Sequence, residues 1–263
     1  MRETLPVMRI IGRLLVCLVF SGAALADDPR DESSSHSSAS HSAGTVISGS
    51  VGATSDFVYR GFSLTRGKPA AQASLDVEFP DGFYVGGFVA TADPNPGPSP
   101  DMELDFWGGR YWRLGENLSA DLRLSQYLYP DDPRRVNYNR SEVTATMGYR
   151  NRVFVAAIYS PNTQALSSAP GYRNDGAWAL EISARHPFND RYSLAAGVGH
   201  YGLDGVYDDS FNYWNITLVG SFDPVELQLA WLGVDTGATD IFIADTVGDR
   251  VAFTALWRFS TGP

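Results

Sequence analysis

Cysteine is all but missing from this chain. The one cysteine among 263 residues, Cys17, lies in the N-terminal apolar segment, so the rest of the chain has no disulfide framework, redox pair or thiolate metal site. Basic charge is also scarce, with 20 Lys and Arg against 30 Asp and Glu and a net charge of −10. Without a basic patch to neutralise phosphates, nucleic acid is excluded as a partner. Beyond the N-terminal segment no apolar run approaches the roughly 18 residues a spanning helix needs. From Thr45 onward there is no helical period either. What remains is a slightly negative mean hydropathy with 13% aromatic residues. A soluble all-β protein fits that balance, and so does a membrane barrel whose apolar residues are hidden by alternation.

The N-terminus reads as a secretory leader over residues 1–26. Arg2, Arg9 and Arg13 precede the apolar run Leu14 to Phe20, and Ala24-Leu25-Ala26 supplies a small-residue cleavage site. The run is too short and wrongly flanked for a membrane anchor. Residues 27–45 are serine-rich, with His36 and His41 among them, and have almost nothing to bury. They are expected to form a disordered tail.

The body of the chain is built from segments of about ten residues alternating apolar and polar, the length of a tilted transmembrane strand. Ala71, Ala73, Leu75, Val77 and Phe79 share one face, with Gln72, Ser74, Asp76 and Glu78 on the other. Leu118 to Ser125, Val143 to Tyr149, Trp178 to Arg185 and Val225 to Trp231 repeat the pattern. Short connections (Pro80-Asp81-Gly82, Gly115-Glu116-Asn117, Arg150-Asn151-Arg152, Phe188 to Arg191, Asp223-Pro224) alternate with long ones, about Arg60–Lys68, Asp93–Asp101, Pro130–Arg140, Pro161–Asp175, Gly202–Ser210 and Thr236–Gly248. Short turns at one end and long loops at the other predict an all-β fold: a closed antiparallel transmembrane β-barrel of about twelve strands over residues 46–259, with periplasmic turns and extracellular loops. Closure also removes the strand edges that lipid cannot satisfy. Val251, Phe253, Ala255, Trp257 and Phe259 make an alternating last strand that resembles the signal outer-membrane proteins present to their assembly machinery. Residues 260–263 follow it as a short extension.

The first hairpin carries a more specific resemblance. Ser55-Asp56, Arg60-Gly61, Ser63, Thr65, Pro69-Ala70, Gln72 and Asp76, then Gly82-Phe83-Tyr84 with Gly86, and farther on Tyr127-Leu128-Tyr129-Pro130, resemble the TorF-like porin family of Gram-negative bacteria. The resemblance spans about Ser48 to Phe259. It implies outer-membrane location and barrel architecture more firmly than any substrate.

If the even-numbered residues of strand 1 face inward, Asp56 and Arg60 follow them as mouth-facing charges while Phe57 and Tyr59 face lipid. The two charges serve either to orient solutes or as a structural brace. The same parity puts Asp76, Glu78, Glu103, Asp105, Asp121, Glu142, Glu181 and Glu226 in the lumen, with Arg123, Arg185, Arg250 and Arg258. A surplus of fixed negative charge favours cations in an open pore; alternatively the charges pair and plug the barrel. Trp107, Trp112, Trp178, Trp214, Trp231 and Trp257 are expected at the outer, interfacial surface. Gly197-Val198-Gly199-His200-Tyr201-Gly202 matches a nucleotide-loop pattern, but it leads from a strand into a loop and is set aside. Asp204, Asp208 and Asp209 read as an acidic solvated loop, not a calcium site. His186 and His200 lie near opposite ends of neighbouring strands with no serine in a nucleophile motif, so catalysis is not expected.

These features predict a porin for passive diffusion of small hydrophilic solutes, with a preference for cations and no cofactor. Its expected partners are outer-membrane lipid and lipopolysaccharide, the assembly machinery and the solutes themselves. The alternatives are a non-conducting adhesin or envelope scaffold, and an outer-membrane lipid hydrolase.

Overall fold

The computed structural model describes residues 44–130, 138–164 and 174–262. The expected leader and nearly all of the expected serine-rich tail lie outside the described residues. Twelve strands form the wall: β1 (Val46–Thr54), β4 (Ala70–Glu78), β5 (Phe83–Thr91), β6 (Met102–Arg113), β7 (Leu118–Leu128), β8 (Arg140–Tyr149), β9 (Val153–Gln164), β10 (Asn174–Pro187), β11 (Tyr192–Gly202), β12 (Ser210–Phe222), β13 (Val225–Val234) and β14 (Arg250–Ser260). Each pairs antiparallel with its neighbour in sequence, except that β1 pairs with β4 on one side and with β14 on the other. The sheet therefore closes on itself into a barrel, as the alternation and loop lengths predict.

The polarity of the wall is inverted relative to a soluble protein. Leu124 is 59% exposed and Val251 65%, whereas Glu142 is 2% exposed and Glu226 1%. Exposed apolar side chains line the outside of the strands and the buried carboxylates point in, together with inward apolar residues such as Phe154, Ile158 and Leu232, so the outer surface is an apolar band of a kind soluble monomers do not expose. Trp178, Trp231 and Trp257 stand on that band, and Trp214 packs edge-on against Trp231 with ring centroids 4.5 Å apart. Trp107 departs from the expectation. It shares the inward parity of Glu103 and Asp105, and its indole Nε1 donates to Asp76 at 3.0 Å.

Strand 1 is shorter than its alternation suggests. The wall ends at Thr54, where β1 meets Ala70 of β4, and the chain between them turns into the barrel. There it forms a separate two-stranded ribbon, β2 (Val58–Tyr59) and β3 (Phe62–Ser63), paired only with itself. Two single-turn helices, α1 (Asp204–Tyr207) and α2 (Thr236–Ile241), lie in the last two long loops. At four and six residues they are too short to leave a period in the sequence. The pattern Gly197 to Gly202 lies on β11, where its glycines make room for rings: a Cβ on Gly199 would lie 2.3 Å from Cζ of Tyr213.

Candidate functional site

The β2–β3 ribbon is the element around which the lumen is built. Its base is tied by Asp56, whose carboxylate accepts from the hydroxyls of Ser63 and Thr65 and from Arg250 Nη1, the last two at 3.0 Å. Thr54 Oγ1 donates to the Asp56 carbonyl at 2.8 Å. Above this anchor the chain reverses through Arg60 and Gly61, with φ of 45° and 83°. Consecutive positive φ values are those of the tight hairpin turn whose twist matches the flanking strands. Glycine suits the second position; a Cβ there would lie 2.4 Å from Val234 Cγ1. Arginine is an unusual choice for the first, and its side chain explains why it is there.

Arg60 is 1% exposed. Its Nη1 and Nη2 donate to the two carboxylate oxygens of Glu142 at 3.0 and 3.1 Å, and its Nε lies 3.6 Å from Glu181 Oε1. The guanidinium sits over the rings of Tyr59 and Tyr201, 4.7 and 4.5 Å from their centroids. The Tyr59 hydroxyl donates to Glu142 at 2.6 Å and that of Tyr213 to Glu181 at 2.5 Å. Arg140 completes the group, stacked over Tyr59 and Tyr127 at 4.3 and 3.9 Å, with Nε 3.5 Å from Glu142. The ribbon thus bridges the interior from β1–β4 across to β8 and β10. Bidentate fork-to-carboxylate geometry with aromatic stacking is what an arginine supplies and a lysine does not.

Two expectations are corrected here. Asp56 and Arg60 do not act together at the mouth: one anchors the ribbon's base to Arg250 and the other is buried against the opposite wall. Tyr59 and Phe57 do not face lipid. Tyr59 is buried inside with Arg60, and Phe57 packs on Phe88 of the inner face at 5.7 Å. Both follow from the chain leaving the wall after Thr54, which voids the parity that would have turned them outward.

The remaining predicted lumen residues all lie on the inner face. Asp76 accepts from Trp107, whose ring carries Arg123 at 4.3 Å. Asp121 accepts from the Tyr84 hydroxyl at 2.8 and 2.9 Å. Glu103 accepts from Tyr129, and Asp105 lies buried on the same strand. Glu226 pairs with Arg258 at 2.5 Å and accepts from Gln228 at 2.7 Å. Arg185 donates to Ser193 at 3.1 Å. Glu78 is half-buried at the short-turn end of β4. The structure therefore gathers Arg60, Glu142 and Glu181 into one cluster and leaves Asp121, Arg185 and the Glu226–Arg258 pair apart from it.

Arg140 is the functional-looking residue that sequence reasoning missed, because it was assigned to a loop. The signal was present: it stands two residues before Glu142, so one more step of the alternation turns it inward. Tyr127, Tyr201 and Tyr213 share the inward parity of their strands in the same way.

Over the ribbon the loops carrying α1 and α2 fold inward. Phe62 stacks on Phe242 at 4.5 Å, and a cavity of about 70 Å³ lies among Tyr59, Leu64, Tyr129, Arg140, Tyr201 and Phe242. A second clip fastens the ribbon's return to the next loop, where Arg66 and Lys68 each donate to the Asp93 carboxylate at 2.6 Å. Partial burial pushes that carboxyl up, but the hydrogen bonds from Lys68 and Arg66 outweigh it and hold Asp93 below its ordinary range. His186 and His200 sit toward opposite ends of the wall, against Phe188 and Trp178 at 5.4 and 5.1 Å. Among the described residues no group of His, Cys, Asp or Glu has the arrangement of a metal site.

A family model described as "Bacterial protein of unknown function (Gcw_chp)" matches residues 38–259, and the chain belongs to that family. No curated protein matches the sequence. Among solved structures, the KdgM porin superposes with a TM-score of 0.50 at 11% identity, covering 81% of this chain and 99% of that one. The NanC porin superposes with a TM-score of 0.51 at 8% identity, covering 83% and 99%. At such identity the likeness is one of fold: a closed twelve-stranded barrel of the outer-membrane porin type.

Proposed function

We propose that this member of the Gcw_chp family is an outer-membrane channel through which small hydrophilic solutes diffuse passively, cations ahead of anions. The observation that carries this reading is the inverted wall, with apolar side chains outward and buried carboxylates inward on a closed barrel. Only a bilayer suits such a surface. The fold shared with KdgM and NanC supports the channel reading, and the motif around Ser55 to Gln72 supports the finer placement among TorF-like porins. In this reading the short turns face the periplasm and the long loops the exterior. The leader is removed on export, β14 engages the assembly machinery, and the outer band meets lipid and lipopolysaccharide.

The cation preference rests on the charge of the lumen. Acids still outnumber arginines there after Arg60 and Arg140 are counted in, and fixed charge of one sign attracts counter-ions. Several inward polar atoms, among them Thr146 Oγ1, Asn215 Oδ1 and Thr217 Oγ1, have no protein hydrogen-bond partner. Water along the lumen is the natural partner for such groups. The ribbon and its charge cluster narrow the path at the long-loop half, so the conductance expected is small.

A second reading, a non-conducting adhesin or envelope scaffold, draws on that same filled half. A lipid hydrolase has less support, since the two histidines stand against aromatic rings far apart on the wall. The test is a reversal potential across a KCl gradient in planar bilayers. Potassium preference supports the channel, anion preference overturns the charge assignment alone, and a silent bilayer overturns the channel and favours the scaffold.

A further inference from the structure

The lumen contains a built receptor for a guanidinium group, and the protein fills it with its own. We propose that the pocket formed by Glu142, Glu181, Tyr201 and Tyr213 is a binding site for small organic cations of the guanidinium class. Arg60 occupies it as a displaceable stand-in. The proposal deepens the channel reading and rests on it for the route by which such a cation arrives.

Three features of the site point this way. First, the receptor belongs wholly to the wall. Glu142 comes from β8, Glu181 from β10, Tyr201 from β11 and Tyr213 from β12. Glu142 offers both oxygens to a planar fork at 3.0 and 3.1 Å, Glu181 stands 3.6 Å from the third nitrogen, and the Tyr201 ring lies 4.5 Å below the guanidinium carbon. The carboxylates are held in place from behind. Tyr213 donates to Glu181 at 2.5 Å, and Arg140 stands 3.5 Å from Glu142. A site so oriented persists when its occupant leaves, and it matches a planar bidentate cation better than a spherical one.

Second, the occupant sits on an element that can leave. The β2–β3 ribbon forms a ladder only with itself and is also tied by the Ser63 N–H to the Thr246 carbonyl at 2.7 Å and by Asp56 to Arg250, while β1 joins β4 directly beneath it through Thr54 and Ala70. Withdrawing the ribbon breaks no ladder of the barrel. Third, Arg60 holds the first left-handed position of the ribbon's hairpin turn at φ 45°, a place usually filled by Asn, Asp or Gly, so the seat its guanidinium fills is what accounts for an arginine there. A guanidinium solute therefore competes with Arg60 for one receptor, and its binding releases the ribbon that narrows the lumen.

The test uses Arg60→Ala in the full-length barrel, with methylguanidinium as probe and binding read by isothermal titration in detergent. Folding is checked by heat-modifiable migration; if this variant fails to fold, Arg60→Gln takes its place. The vacated receptor is expected to bind methylguanidinium roughly tenfold more tightly than the wild type, the scale of one charge-assisted bidentate pair. Adding Glu142→Gln is expected to abolish the gain, and tetramethylammonium, which has no fork, is expected to show none. Equal binding by wild type and Arg60→Ala, or a gain that survives Glu142→Gln, overturns the proposal. Potassium current through Arg60→Ala in bilayers keeps the two claims apart. Current without methylguanidinium binding overturns the receptor alone, and binding without current supports the receptor while overturning the channel.

Discussion

At the scale of single residues, Glu142 carries the most. It accepts from Tyr59 and from both ends of the Arg60 fork while lying beside Arg140. Removing one partner of a buried ion pair strands the other, so Glu142→Gln is expected to cost about 3 kcal/mol of unfolding free energy. Urea unfolding in lipid vesicles measures it, and a loss near zero would mean that water already reaches the cluster. Gly199→Ala acts on the same cluster from behind. Its methyl would meet the Tyr213 ring that holds Glu181, an overpacking expected to cost about 1–3 kcal/mol in the same assay. On the wall strands parity alone places the acids and arginines such as Glu142, Glu181 and Glu226 on the inner face, whereas Asp56 and Arg60 come inside by the ribbon and not by parity. What parity could not supply was partnership. Asp56 meets Arg250, which is 194 positions away, and no local pattern encodes that distance. Trp107 was misjudged by its residue type. Indoles are common at the lipid interface, but parity turns this one inward, where it reaches Asp76 over Gly86 of the strand between them.

At the scale of elements, the wall strands were legible and the ribbon was not. A strand with one apolar and one polar face announces itself by its period. Asp56 to Tyr59 continue the alternation of strand 1 and Arg60 to Lys68 read as an outside loop, yet both faces of the ribbon end up inside. The clip of Arg66 and Lys68 on Asp93 then fixes where the ribbon's return lies. Because the Asp93 carboxyl is held below its ordinary range, its contribution to stability is complete above the unfolded value of about 3.9. That contribution is lost as pH falls through the lower folded value. Loosening of the loop, followed by limited proteolysis after Arg66, is therefore expected only on strong acidification, and in Asp93→Asn it is expected already at neutral pH. Equal cleavage of the two proteins at pH 7 would show that the clip does not hold the loop.

At the scale of the whole molecule, the barrel was legible because lipid imposes a coarse rule. Apolar residues must face out, polar ones must face in, and no edge can be left open. How full the interior is does not follow from that rule, because it depends on where one inserted loop goes after leaving the wall. The purified protein is expected to need detergent for solubility and to migrate faster unheated than boiled, as closed barrels do. Solubility without detergent would contradict the membrane reading altogether. The central claim is that this barrel is a channel narrowed by the β2–β3 ribbon. It is tested most directly by the potassium conductance of a variant in which residues 57–64 are replaced by a short Gly-Ser linker, compared with the wild type in planar bilayers. β1 and β4 still pair beneath the deletion, so the barrel is expected to stay closed and its conductance to rise severalfold, with cations still preferred. Equal conductance in the two proteins, or silence in both, would contradict the claim.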